Sequence, residues 1–158
     1  MVEHSGPKYA YEDFYLDRVF PLGPRIVTAE EIVEFAREFD PQPMHLDEEA
    51  GRASLLGGLA ASGWHMTAML MRMMAESYIL ESTSEGAPGV DRTEWKRPLL
   101  AGDSFGGTST VIARRLSASR KGIGLVTLRH EMQNQRGETV MISGNVGMLA
   151  LRHPEAVQ

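Results

Sequence analysis

Residues 62–80 read SGWHMTAMLMRMMAESYIL, and this stretch decides the fold. Ser62 has the side chain of a helix N-cap, with Gly63 in the first turn. Beyond them Trp64, Met66, Ala68, Met69, Leu70, Met71, Met73, Met74 and Ile79 cover most of a helix's circumference. A helix apolar nearly all round is a buried one. Arg72 and Glu76, at i and i+4, mark its one wet or paired edge and interrupt the run too early for a membrane span. The methionines read as core filler, or alternatively as the lining of an adaptable acyl slot.

Past a Ser/Thr/Gly/Pro-rich loop at 82–89 the apolar period changes to two. Strands are expected near 90–97, 104–116, 122–133 and 138–151, separated by turn residues at 98–103, 117–122 and 134–137. Val126, Leu128, His130 and Met132 alternate with Thr127, Arg129 and Glu131, as in a half-exposed antiparallel strand. Three long strands on short turns make a meander, and the apolar helix must cover its inner face. The expected class is α+β, a curved antiparallel sheet wrapped around a long central helix.

Toward the N-terminus the signals are more local. Residues 1–12 are polar and expected to be loosely held. Phe14, Leu16 and Val19 suggest a short strand, Pro21-Leu-Gly-Pro24 a turn, and Arg25 to Val27 a second short strand. Thr28 and Glu31 form a capping box for a helix carrying Ile32, Val33, Phe35, Ala36 and Phe39. That helix stops near Asp40, because Pro41 disfavours the α conformation before it. Residues 40–45 (DPQPMH) then form a loop or extended segment stiffened by two prolines. Asp47 caps a short helix to about Arg52, and Gly57-Gly58 breaks the chain again.

The chain of 158 residues is long enough for one domain, residues 1–158, with a substantial core. It has no cysteine, so disulfides and thiolate metal sites are excluded. A net charge of −5 argues against sequence-independent binding to a phosphate backbone. The N-terminus lacks the apolar core of a signal peptide, and a cytoplasmic location without membrane contact is expected.

Asp40 and His45 are the only acid–imidazole pair on a segment with a reason to be rigid. Histidine titrates near pH 6.5 and burial tunes a carboxyl, so the pair suits general acid–base work on a water held between them. The alternative is structural: Asp40 capping a helix end and His45 packing. Ser62-Gly63 adds a helix N-terminus whose free N–H groups suit an oxyanion, with glycine permitting close approach. His45, Asp47 and His65 show no metal-ligand spacing. Ser62 lacks the Gly-x-Ser-x-Gly elbow of a nucleophile. Arg92, Lys96 and Arg97 form a basic cluster that is either a solvated edge or a phosphate contact.

Three segments, DPQPMHLDEEA at 40–50, LLGGLAASGWH at 55–65 and WKRPLLAGDSF at 95–105, resemble the MaoC-like dehydratases, the (R)-specific enoyl-CoA hydratase family. The resemblance covers about residues 13 to 151. It implies the hot-dog fold, a homodimer or higher homo-oligomer, and acyl-CoA pockets near the subunit interface. It further implies that Asp40 and His45 activate the water added to a 2-enoyl-CoA, or lost from an (R)-3-hydroxyacyl-CoA. The Gly63 N–H would stabilise the thioester oxygen. Gln42, Pro43, Ser62, Trp64 and Arg97 are read as substrate-binding positions. No cofactor or metal is implied; the thioester of CoA or an acyl carrier protein is the substrate. Gln42 replaces the family's usual asparagine, and Ser62 a frequent histidine. A hot-dog thioesterase and a non-catalytic acyl-binding module are the alternative functions.

Overall fold

In the computed structural model, which describes residues 6–156, the chain runs through β1 (Val19–Ile26), α1 (Ala29–Phe39), α2 (Pro43–Leu46), α3 (Glu48–Ala53), α4 (Gly63–Met74), β2 (Val90–Trp95), β3 (Ser104–Leu116), β4 (Ile123–Gln133) and β5 (Thr139–Ala150). One antiparallel sheet has the strand order β1-β3-β4-β5-β2. β3, β4 and β5 are the expected meander, and β2 pairs with β5 at one edge. The core joins Met66, Met69, Leu70 and Met73 of α4 to Phe105, Val111, Val126, Leu128, Met132 and Met141 of the sheet. Each such side chain contributes about 1.5–3 kcal/mol by leaving water.

The central helix departs from expectation in two ways. Its α winding stops at Met74, and Ala75–Ile79 is π-wound, with Tyr78 buried at 2% exposure. Nor is the helix buried all round: Trp64 is 63% and Met71 49% exposed. The sheet covers one side of the helix only, and this flank has no cover among the described residues. Arg72 and Glu76 pair on the solvent side at 2.5 Å, as their spacing predicts.

The N-terminal reading needs correction. Residues 1–5 fall outside the described residues, but Tyr9 to Glu12 are tied down rather than loosely held. The Tyr9 N–H donates to the Glu81 carbonyl at 3.0 Å, Ala10 is fully buried, and the Glu12 carboxylate accepts the Arg152 N–H. Aromatic packing is the cause, since Tyr9 meets Phe14 and Phe20 edge-on. Phe14 therefore belongs to the core and not to a strand. Residues 21–24 are no turn either; they are the middle of one strand, β1. An edge strand pairs on one side only, so Pro21 and Pro24 are tolerated. A register shift between Leu22 and Arg25 absorbs the Gly-Pro step.

Candidate active site

The site begins where α1 ends. Thr28 and Glu31 form the capping box at its start, and Asp40 is its C-cap, donating its N–H to the Ala36 carbonyl at 3.0 Å. Pro43 then occupies the first position of α2, where its missing N–H costs nothing. Residues 43–46 are thus a helical turn and not the expected loop. That turn buries His45 to 6% exposure.

The imidazole is held in one tautomer. His45 Nδ1 lies 2.7 Å from the Ala60 carbonyl oxygen. A carbonyl only accepts, so Nδ1 carries the proton and the neutral ring keeps a lone pair on Nε2. Nε2 is 3.5 Å from Asp40 Oδ2. Ala60 is itself fixed by a bridge to Leu100.

Asp40 is held as an anion. Its Oδ2 accepts the Ser62 hydroxyl at 2.6 Å and its Oδ1 accepts the Gln42 amide at 2.7 Å. Burial pushes the carboxyl up, but the hydrogen bonds from Ser62 and Gln42 outweigh it, with the attraction of His45 adding when that ring is protonated, leaving its pKa below the usual value. Ser62 acts twice, because its oxygen also accepts the Trp64 N–H as the N-cap of α4. One hydroxyl thereby joins the acid to the helix that carries Gly63.

Gly63 is the first residue of α4, so its N–H has no intrahelical acceptor. A Cβ built there would overlap the Trp95 indole, so glycine is needed to pack β2 against the helix. The Trp95 Nε1–H donates to Thr67 Oγ1 at 3.3 Å, and the Thr67 hydroxyl donates to the Gly63 carbonyl at 2.9 Å. A cleft of about 260 Å³ opens here, with His45, Ala60, Gly63, Met66, Trp95 and Arg97 on its wall.

Of the residues expected from sequence, the cleft therefore brings together His45, Gly63 and Arg97. Asp40 and Ser62 are not on its wall; Asp40 Oδ2 lies 3.5 Å from His45 Nε2 and accepts the Ser62 hydroxyl. Gln42 and Pro43 are exposed, Gln42 serving Asp40. Trp64 points away from the cleft and packs edge-on against Trp95, ring centroids 5.3 Å apart. Sequence reasoning missed Trp95, Thr67 and the Ala60 carbonyl. A backbone carbonyl leaves no compositional trace, and Trp95 reaches Gly63 only through the pairing of β2 with β5.

The order of these parts is shared with known proteins. A family model described as MaoC like domain matches residues 17–134. The chain belongs to the MaoC-like dehydratase family. A MaoC-like dehydratase from Rhodospirillum rubrum is 39% identical, with a TM-score of 0.81 over 90% of this chain and 97% of that one. The unliganded (R)-hydratase PhaJ1 from Pseudomonas aeruginosa shares the fold at 17% identity, with a TM-score of 0.72 over 92% of this chain and 88% of that one. In sequence, the uncharacterised protein YdeM of Bacillus subtilis is 25% identical over 141 residues, 89% of this chain and 98% of its own. The five-stranded sheet around α4 is the hot-dog fold. No helix among the described residues is long and apolar enough to cross a membrane.

Proposed function

We propose that this MaoC-like domain is a hydratase/dehydratase of acyl thioesters, adding water across a 2-enoyl thioester or removing it from a 3-hydroxyacyl thioester. The observation that carries the reading is the 3.5 Å approach of His45 Nε2 to Asp40 Oδ2, with the imidazole lone pair free. A water about 2.8 Å from each atom bridges them. In hydration its oxygen bonds to C3 while a proton passes to Nε2. The double-bond electrons move onto C2 and the thioester oxygen, where the Gly63 N–H meets the developing charge. Return of the proton from Nε2 to C2 restores the neutral imidazole, and dehydration is the reverse. Asp40, held ionised, orients the water and stabilises the imidazolium that forms. Arg97 at the cleft supplies a cation for the phosphates of CoA or of an acyl carrier protein.

Crotonyl-CoA and a panel of longer and branched enoyl-CoAs test the reading, with the product identified. At least one is hydrated, and Asp40→Asn and His45→Ala each lower the rate by about 10²–10⁴. Hydration that survives both substitutions refutes the assignment, and release of free thiol without hydrated product assigns the chain to thioester hydrolysis. The exposed Trp64, Met71, Val90 and Trp95 beside the unpaired edge of β2 support self-association. Light scattering on the purified protein checks for the homo-oligomer.

A further inference from the structure

Asp103 belongs to the segment WKRPLLAGDSF (95–105) and is not on the wall of the cleft. It is nevertheless buried, at 7% exposure, with both carboxyl oxygens engaged. Its Oδ2 accepts the Leu100 N–H at 2.9 Å and its Oδ1 accepts the Gln135 amide at 2.8 Å. Gln135 is exposed in the turn between β4 and β5, and its Oε1 accepts the Ser104 N–H at 3.0 Å. That donor fixes the amide with its oxygen on Ser104 and its NH₂ on Asp103. The Asp103 main chain is held as well. Its N–H donates to the Leu100 carbonyl at 2.9 Å, and its C=O accepts the Val27 N–H at 3.0 Å.

Leu100 connects this clasp to His45. Residues 59–61 and 99–101 form a short antiparallel ribbon, in which the Ala61 N–H donates to the Leu99 carbonyl at 2.8 Å and the Ala101 N–H to the Leu59 carbonyl at 2.9 Å. Ala60 and Leu100 face each other between these two bonds, as a pair that exchanges none. Their own N–H and C=O groups therefore leave the ribbon at opposite edges. The Ala60 carbonyl leaves toward His45 Nδ1, 2.7 Å away. The Leu100 N–H and C=O leave toward Asp103. Moving Leu100 thus moves Ala60, and with it the acceptor that selects the His45 tautomer.

We propose that Asp103 is a positioning residue for His45, acting across the ribbon on the Ala60 carbonyl, with Gln135 as its brace. The proposal rests on the hydratase reading of the cleft and adds to it a residue that touches neither water nor thioester. The physical demand is for two acceptors. The Leu100 N–H and the Gln135 NH₂ are both donors, and a carboxyl group meets both where an isosteric amide meets one. In Asp103→Asn an N–H is turned against a donor, the strap at 99–101 loosens, and the Ala60 carbonyl leaves its contact with Nδ1. The neutral His45 ring then spreads over both tautomers, and the share with its lone pair on Nε2 falls. Adding Gln135→Glu restores every bond, because the pair of acceptors then sits at position 135 and takes both the Ser104 N–H and the new amide.

Nitrogen NMR of the isotope-labelled full chain above neutral pH reads the tautomer, the His45 signals being those missing from His45→Ala. In the unmodified protein Nδ1 carries the proton. In Asp103→Asn the Nδ1–H share drops, and kcat for a hydrated enoyl-CoA falls by about 10–10²-fold with KM unchanged. Asp103→Asn/Gln135→Glu returns both readouts toward those of the unmodified protein. Gln135→Glu alone sets two carboxyl groups against each other at an exposed turn and moves the tautomer in the same direction. It decides the matter should Asp103→Asn fail to fold. A fall in Tm with tautomer and kcat unmoved, or a loss in Asp103→Asn that the second substitution leaves uncorrected, would overturn the proposal. The tautomer readout needs no turnover, so it separates failure of the clasp from failure of the hydratase assignment.

Discussion

Ser62→Ala removes one oxygen atom and with it two interactions, the N-cap of α4 and the hydroxyl donor on Asp40. An N-cap serine replaced by alanine costs about 1 kcal/mol. A hydrogen bond to a charged group contributes about 1.5–3 kcal/mol. The variant is therefore less stable by about 2.5–4 kcal/mol at pH 7, roughly 10 °C in Tm for a chain of this size. The two shares separate with pH. The folded Asp40 pKa lies below the ordinary carboxylate value of 3.8, so the carboxylate's stabilisation is complete above that value and lost as pH falls through the folded pKa. At that acidity only the cap share remains, and the deficit shrinks to about 1 kcal/mol. Urea titrations of both proteins at pH 7 and at steps of falling pH through the folded Asp40 titration measure it. In the variant the Asp40 pKa also rises, so the acid limb of the kcat/KM profile moves to higher pH. A deficit that stays constant across the whole folded titration of Asp40, or one under about 0.5 kcal/mol at pH 7, would refute the coupling of cap and acid through one hydroxyl.

Three further outcomes follow from the same contacts. Gly63→Ala overlaps the Trp95 indole and destabilises by about 1–3 kcal/mol, and the loss is smaller in a Trp95→Ala background; a double-mutant cycle in urea reads the coupling. Gly51→Ala drives a methyl into the Gly58 carbonyl and displaces the turn leading to Ala60, so it lowers both Tm and hydratase rate. His65 is buried against Phe35 with an Nδ1 that has no partner among the described residues, and burial holds its pKa below 6.5. The unfolded chain then binds the extra proton first, so stability is full above about pH 6.5 and falls below it. His65→Phe flattens that acid loss and raises stability at pH 7 by about 1 kcal/mol, as thermal melts across the pH range would show.

Much of the site was legible because it is local. The Thr28–Glu31 box, the stop at Pro41 and the cap at Ser62 are short-range signals, and each acts where its residues stand. They space Asp40, His45 and Gly63 along the chain, although α2 is a helical turn where two prolines suggested extended chain. The misread regions are those where packing overrode local propensity. Pro21 and Pro24 read as a turn until an edge position made them tolerable within β1. Tyr9 and Ala10 read as a loose tail until the aromatic cluster gave them a place.

The place of the central helix, the meander, the family motif and the residues that carry the proposed chemistry can be read along the chain, because period, caps and proline stops depend on neighbours a few positions away. Which partners those residues meet depends on how distant segments pack. The Ala60 carbonyl selects the His45 tautomer, the Ser62 hydroxyl holds Asp40, and Trp95 stands over Gly63. Each contact joins segments 15 or more residues apart. Strand order and register set such distances, and the spacing of residues along the chain does not.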